Sequence, residues 1–340
     1  MGKIETADFR SNPEGLASPA STAAVREIDG RKNVRELSIG VLVEVRSAEE
    51  IQATLDADGR LDGVPFMPEM IRFCGVRMRV YRRAEKTCVE GHGLRRMHST
   101  VLLENARCDG GRHDGCQRNC MFFWKEAWLR PVEESAPATR ADPRREASAQ
   151  LRLLSYPTRQ DDRYVCQSTV LAGATEVLPR WDLRHLATDV ARGQLTAAGL
   201  VGIIWRTVVN RLRASFDLPE IGALVGTAVR NANGALGLQP GERVRVKSAD
   251  EIQQTLGPAG KNFGLSFEPE MSRYINGVFE VDFPVRKIIL EETGQMVRLK
   301  DTVALKTLVC KGSCVKNCPR SNTLYWREAW LERVPSAPAE

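Results

Sequence analysis

Residues 40–55, GVLVEVRSAEEIQATL, return as GERVRVKSADEIQQTL at 241–256, with seven of nine residues shared between SAEEIQATL and SADEIQQTL. FMPEM (66–70) then answers FEPEM (267–271), and WKEAWLRPV (124–132) answers WREAWLERV (326–334). The offset is 201 residues at the start and 202 at the end, so about 95 residues occur twice with one net insertion. Self-similarity on this scale constrains the fold more than any propensity, because whatever one copy forms the other must form too.

Each copy reads mostly as β-structure. VLVEV and RVRVK alternate apolar and polar residues, the mark of a half-buried strand. A short helix should follow, capped by Ser47 or Ser248 with Glu50 or Glu251 three residues on. RMRVYRR, STVLLENARC and FFWKEAWL are the later strands of the first copy; VFEVDFPV, DTVALKTLVC and LYWREAWL are those of the second. EETGQM (291–296) supplies a glycine for a hairpin turn. The expected fold is mainly β with a helical insert: two duplicated small SH3-like β-barrels with cysteine-rich loops, joined by an α-helical segment. The expected divisions are a tail at 1–37, barrel A at 38–133, a linker and helical segment at 134–237, barrel B at 238–335 and a tail at 336–340. Within the insert, 135–149 reads as linker, and 181–193 and 196–216 as helices capped by Asp182 and Thr196. Residues 200, 201, 204, 208, 212 and 216 make one apolar stripe on the second helix.

The cysteines fall at matching places. Cys108 aligns with Cys310 and Cys116 with Cys318; the first copy adds Cys120 and the second adds Cys314. The spacings C-x7-C-x3-C and C-x3-C-x3-C lie in polar loops between the same two strands, where a buried free thiol is a poor explanation. Several thiolates on a hairpin loop suit Zn²⁺, which takes four N or S ligands in a tetrahedron; an iron–sulfur cluster is the alternative. The fourth ligand in copy A is expected to be Cys74, with His113 next and His98 also a candidate. In copy B it is Cys166, donated by the middle segment, or an open position. Trp124 and Trp128, like Trp326 and Trp330, are four apart on a strand-like segment and should pack the barrel. Glu126 and Glu328 share their parity and should meet a buried arginine. Cys88, and Cys166 where it is not a ligand, read as plain core or partly buried thiols.

No phosphate-binding glycine loop, H-E-x-x-H, G-x-S-x-G or dinucleotide fingerprint occurs. Net charge is +6 but dispersed, as 0, +1, +3 and +2 over 1–37, 38–133, 134–237 and 238–340, so nucleic acid is not the expected partner. The N-terminus lacks an apolar signal region, and the longest apolar run, AAGLVGIIW, is too short to span a bilayer. A cytoplasmic setting is expected, in which nine cysteines read as ligands or free thiols before disulfides.

The pattern V-x-V-[RK]-S-x-[DE]-E-I-x-x-T-L, then F-x-x-E-M, Cys-Gly, a cysteine loop and W-[KR]-E-x-W-L resembles a bacterial protein family with two cysteine-rich repeats. RYVCQSTVLAGATEVLPRWDLRHLATDVARG (163–193) resembles its linker. The resemblance covers most of residues 38–335 and implies a setting beside polysaccharide or specialised-metabolite biosynthesis, but no reaction. In that family the Cys-Gly pair recurs in the second copy, where this chain has Asn276. Two readings follow. One is a zinc-binding accessory or scaffold that binds a protein partner or carrier-borne intermediate. The other is a biosynthetic enzyme using an incompletely ligated Zn or Fe site.

Overall fold

The structure is a computed structural model and describes residues 37–137, 139, 141–179, 181–228, 234–313 and 316–335. It is mostly β, built of antiparallel sheets with a few helices. The first repeat contains β1 (Leu42–Val45), α1 (Ala48–Gln52), β2 (Arg77–Arg83), β3 (Lys86–Val89), β4 (Gly93–Arg96), β5 (Thr100–Leu103), β6 (Trp124–Lys125) and β7 (Leu129–Pro131). The middle segment contains α2 (Pro143–Ser155), α3 (Gln167–Ala174), α4 (Arg184–Ala191) and α5 (Ala197–Ala214). The second repeat contains β8 (Arg243–Val246), α6 (Ala249–Gln253), β9 (Val278–Pro284), β10 (Lys287–Ile289), β11 (Met296–Arg298), β12 (Thr302–Val309), β13 (Thr323–Arg327) and β14 (Leu331–Arg333).

The sheet orders match: β6-β5-β2-β1-β7 in one repeat and β13-β12-β9-β8-β14 in the other. Register matches as well. Val43 faces Met78 as Val244 faces Phe279, and both second strands bulge at equivalent points, Val80/Arg82 and Val281/Phe283. A cross-strand ion pair keeps its place and reverses its polarity: Glu44–Arg130 at 3.6 Å becomes Arg245–Glu332 at 3.0 Å. Both Ser-Glu capping boxes form, on α1 and α6.

Each repeat has its own core. Phe66 meets Trp128 edge-on at 5.3 Å, and Phe267 meets Trp330 at the same distance. The indoles donate to Thr54 and Thr255, each at 3.0 Å, so these buried rings bring their N–H groups in satisfied. The WKEAWL segments are not continuous strands. A 3-10 turn, Glu126–Trp128 or Glu328–Trp330, interrupts each, and that turn brings both tryptophans inward. Glu126 meets Arg83 at 2.6 Å as expected. Glu328 instead accepts the backbone N–H groups of Leu236, Gly237 and Leu238, so it anchors the incoming connector.

One further expectation is corrected, and one is given its orientation. The Pro- and charge-rich stretch read as linker becomes α2 from Pro143 onward, capped by Asp142. Its Ala149 and Leu153 enter the first core, and Glu146 accepts the Ala48 N–H at 2.9 Å at the start of α1. The apolar stripe read on α5 faces outward. Val201, Trp205, Leu212 and Phe216 are 66, 68, 58 and 74% exposed, while Ile203 on the other face is buried. Among the described residues no helix is long and apolar enough to cross a membrane.

Candidate functional site

The two cysteine loops are built alike from below. Each PEM turn buries a glutamate, Glu69 or Glu270, that holds the loop by its backbone. Glu69 accepts the Arg112 N–H at 3.0 Å; Glu270 accepts those of Lys311 at 3.1 Å and Ser313 at 3.2 Å. Each loop then turns at a glycine of positive φ, Gly110 at +69° or Gly312 at +71°. In the first loop Glu69 also meets His113 Nδ1 at 2.7 Å, with both side chains 2% exposed. Burial pushes the imidazole toward neutrality, and the Glu69 carboxylate more than offsets it, raising the His113 pKa above its ordinary value. His113 Nε2 points to the Val165 carbonyl at 3.1 Å, so the ring is committed on both sides.

Beyond these turns each loop crosses to the other repeat, and the crossings are reciprocal. Cys116 Sγ accepts the Ile289 N–H at 3.3 Å, and Arg118 donates to the Ile289 carbonyl at 2.9 Å. Cys318 Sγ accepts the Cys88 N–H at 3.1 Å, and Arg320 donates to the Cys88 carbonyl at 3.0 Å. Cys116 and Cys318 are repeat equivalents, as are Arg118 and Arg320, and Cys88 and Ile289. The boundary therefore has the logic of a two-fold dimer interface, in which the same patch serves both sides. Between the arginines lies Glu291, 3% exposed, at 2.5 Å from Arg320 and 3.3 Å from Arg118. Burial alone would raise its pKa; Arg320, then Arg118, pull it below the ordinary carboxylate value.

A cavity of about 40 Å³, room for an ion or a water molecule, opens beside this boundary. Cys108, Cys116, Cys120, Cys166 and His113 line it, together with both arginines. Burial pushes the Cys108 and Cys116 thiols upward and that of Cys166 to about 11. Cys120 Sγ is 3.9 Å from Ser168 Oγ.

The structure thus gathers Cys108, Cys116 and Cys120 around one space and adds Cys166 to them. Cys166 begins α3, which packs on the first core, so it belongs with loop A and not with loop B. Cys74 is placed elsewhere. It ends the 3-10 turn Pro68–Phe73 and lines a different cavity with Glu44, Ser47 and Glu146; burial and then Glu146 push its thiol to about 12. In loop B, Cys310 Sγ accepts the Gly312 N–H at 3.3 Å, Cys318 is engaged with Cys88, and Cys314 lies outside the described residues. Among the described residues no three His, Cys, Asp or Glu side chains form a group that could hold a metal ion. His98 is exposed and meets Glu176 at 3.3 Å, away from both loops.

Comparison with protein-family models, curated proteins and solved structures finds no match.

Cys88, read as a plain core or partly buried thiol, is half-buried, and its backbone N–H also meets the Cys318 sulfur across the boundary. The Cys88 side chain beside it, ahead of the desolvation opposing it, lowers the Cys318 pKa, and the same pairing raises that of Cys88. The charged groups at the boundary were also missed, although a signal existed. Arg118 and Arg320, Glu90 and Glu291, and Glu69 and Glu270 are identical residues at the repeat offset. A second buried polar group sits nearby: Lys86 reaches Asp189 at 2.5 Å and His185 at 2.8 Å, and Asn317 donates to Asp189 at 2.7 Å. Burial and the Lys86 charge push His185 down to about 4, so it is neutral near pH 7.

Proposed function

We propose that the chain is an accessory protein that works by binding another protein through the outward face of α5. The observation that carries this is the outward apolar face of that helix. Arg206, Asn210 and Arg213 turn inward and hydrogen-bond the backbone of Ile221 and Pro219, while Val201, Trp205, Val208, Leu212 and Phe216 face outward. Trp181 is a further 77% exposed aromatic in the same segment. A contiguous apolar stripe with two large aromatics is the composition of an interface core, not of a solvated surface. In this reading the two repeats are small SH3-like barrels that serve as a rigid base for the helical segment. The family resemblance supplies the setting: a bacterial polysaccharide or specialised-metabolite pathway, with a pathway protein or carrier as partner.

The test pairs the wild type with Trp205→Glu/Leu212→Glu, using light scattering and affinity capture of the full chain in extract from its own cells. The wild type is expected to run as a complex above its own 37.8 kDa. The variant should lose at least about 100-fold in affinity, with its melting temperature unchanged because both residues are exposed. A wild type that stays a partnerless monomer overturns the reading.

The thiol-lined cavity favours a second reading, in which it takes one soft ion, Zn²⁺ before an iron–sulfur cluster. Cys108, Cys116, Cys120 and Cys166 are the right donors, and binding has to draw their sulfurs together. Elemental analysis of anaerobically purified protein should then give about one zinc per chain, lowered by Cys120→Ser and Cys166→Ser and unaffected by Cys74→Ser. Metal-free wild type, or equal loss with Cys74→Ser, removes this reading. An ion with an open position there would be the enzyme alternative.

A further inference from the structure

The reciprocal crossing is matched in backbone and unmatched in one side chain. Where loop A meets Ile289, loop B meets Cys88, at the equivalent position in the other repeat. Among the described residues this brings a cysteine from each repeat together: Cys318 Sγ accepts the Cys88 backbone N–H at 3.1 Å, which sets the two side chains beside each other. The contact is held from several sides. Arg320 donates its guanidinium to the Cys88 carbonyl, while its own charge is fixed by Glu291. Asn317, one residue before Cys318, is tied to Asp189 and Arg82.

We propose that Cys88 and Cys318 are an oxidative modification site, forming a disulfide that staples the two repeats together. The oxidant is a peroxide. Hydrogen peroxide converts one thiol to a sulfenic acid, transferring one oxygen and leaving one water. The second thiol then attacks that sulfur, forming the S–S bond and expelling a second water. Overall two thiols and one peroxide give one disulfide and two waters, with sulfur oxidised and peroxide oxygen reduced. Cys318 is only 2% exposed, so the reaction is slow and open to small oxidants only. Its effect is on the boundary. The cross-link joins residues 230 apart in sequence, so it restricts the unfolded chain over most of its length and keeps loop B closed on β3.

The experiment uses the reduced full chain, treated with a small excess of hydrogen peroxide, alkylated, digested and read by mass spectrometry. A linked peptide pair containing Cys88 and Cys318 is expected, with a faster band on a non-reducing gel and a melting temperature raised by on the order of 5 °C. Cys88→Ile puts in the residue already present at the matching position of the other repeat. It should keep the fold, abolish the fast band and abolish the thermal shift, whereas Cys74→Ala, in a different cavity, should change none of these. The proposal is overturned if the cavity cysteines cross-link while Cys88 and Cys318 remain alkylatable. It is equally overturned if Cys318 runs on to sulfinic acid without a link.

Discussion

Gly312→Ala is expected to destabilise the protein by about 4 kcal/mol or more, to the point of insolubility in a marginal background, and Gly110→Ala to do the same. A non-glycine residue at positive φ costs about 1–2 kcal/mol by itself. Here the added methyl also has nowhere to go. A Cβ on Gly312 would stand 2.2 Å from the Cys318 carbonyl oxygen and 2.6 Å from its nitrogen; on Gly110 it would stand 2.1 Å from the Cys116 carbonyl oxygen. These are backbone atoms, so no rotamer change relieves the clash, and the loop must open. Opening it withdraws Cys318 from Cys88, or Cys116 from Ile289, and with them the arginine contacts across the boundary. Gly93→Ala is the control. Its φ is +71° but a Cβ there meets nothing within 4 Å, so it carries the conformational cost alone. Urea unfolding of the three variants measures the difference. Equal losses for Gly93→Ala and Gly312→Ala would mean that the loop is not packed as described.

What the sequence disclosed was whatever repeats or caps locally. The strand alternation at 42–45 and 243–246, the Ser47/Glu50 and Ser248/Glu251 boxes and the turn at Gly294 each depend on neighbours a few residues away, and each is where it was expected. The 3-10 turn inside WKEAWL was hidden because period four on a strand and one short turn both place the two tryptophans on one side. The failures concern long-range choice. Nothing local distinguishes a cysteine that joins its own loop from one that caps a turn behind the sheet, as Cys74 does. Nor does Cys166 announce which repeat α3 will pack against. The stripe on α5 was legible as a stripe, but periodicity gives a face without saying whether the protein itself covers it. The reciprocal boundary could have been anticipated, since identical charged residues at one offset in a chain with little net field are candidates for a shared two-fold contact. Even so, the pairing of Cys88 with Cys318 depends on a position where the repeats differ, Cys88 standing where the second repeat has Ile289.

Glu291→Gln is expected to cost about 3–5 kcal/mol, because it leaves buried guanidinium charge without a carboxylate. Arg118 retains Glu90 at 2.7 Å and the Ile289 carbonyl. Arg320, 3% exposed, keeps only neutral acceptors, Ser168 and the Cys88 carbonyl. Glu90 is the repeat equivalent of Glu291, yet its side chain is 49% exposed, so Glu90→Gln should cost under about 1 kcal/mol. A duplicated position is thus expected to give opposite answers, decided by burial alone. The pH dependence separates this from a packing effect. The folded-state pKa of Glu291 lies below its ordinary value of 4.5, so the stability it contributes is present above 4.5 and is lost as pH falls through the folded value. Wild type and Glu291→Gln should therefore differ most near neutrality and converge in acid. Replacing both partners, Glu291→Met with Arg320→Met, should recover much of the single-variant loss, since an apolar pair leaves no charge to desolvate. A gap that persisted unchanged to pH 3, or a double variant worse than Glu291→Gln alone, would mean that the boundary is held by shape and that the charges are incidental.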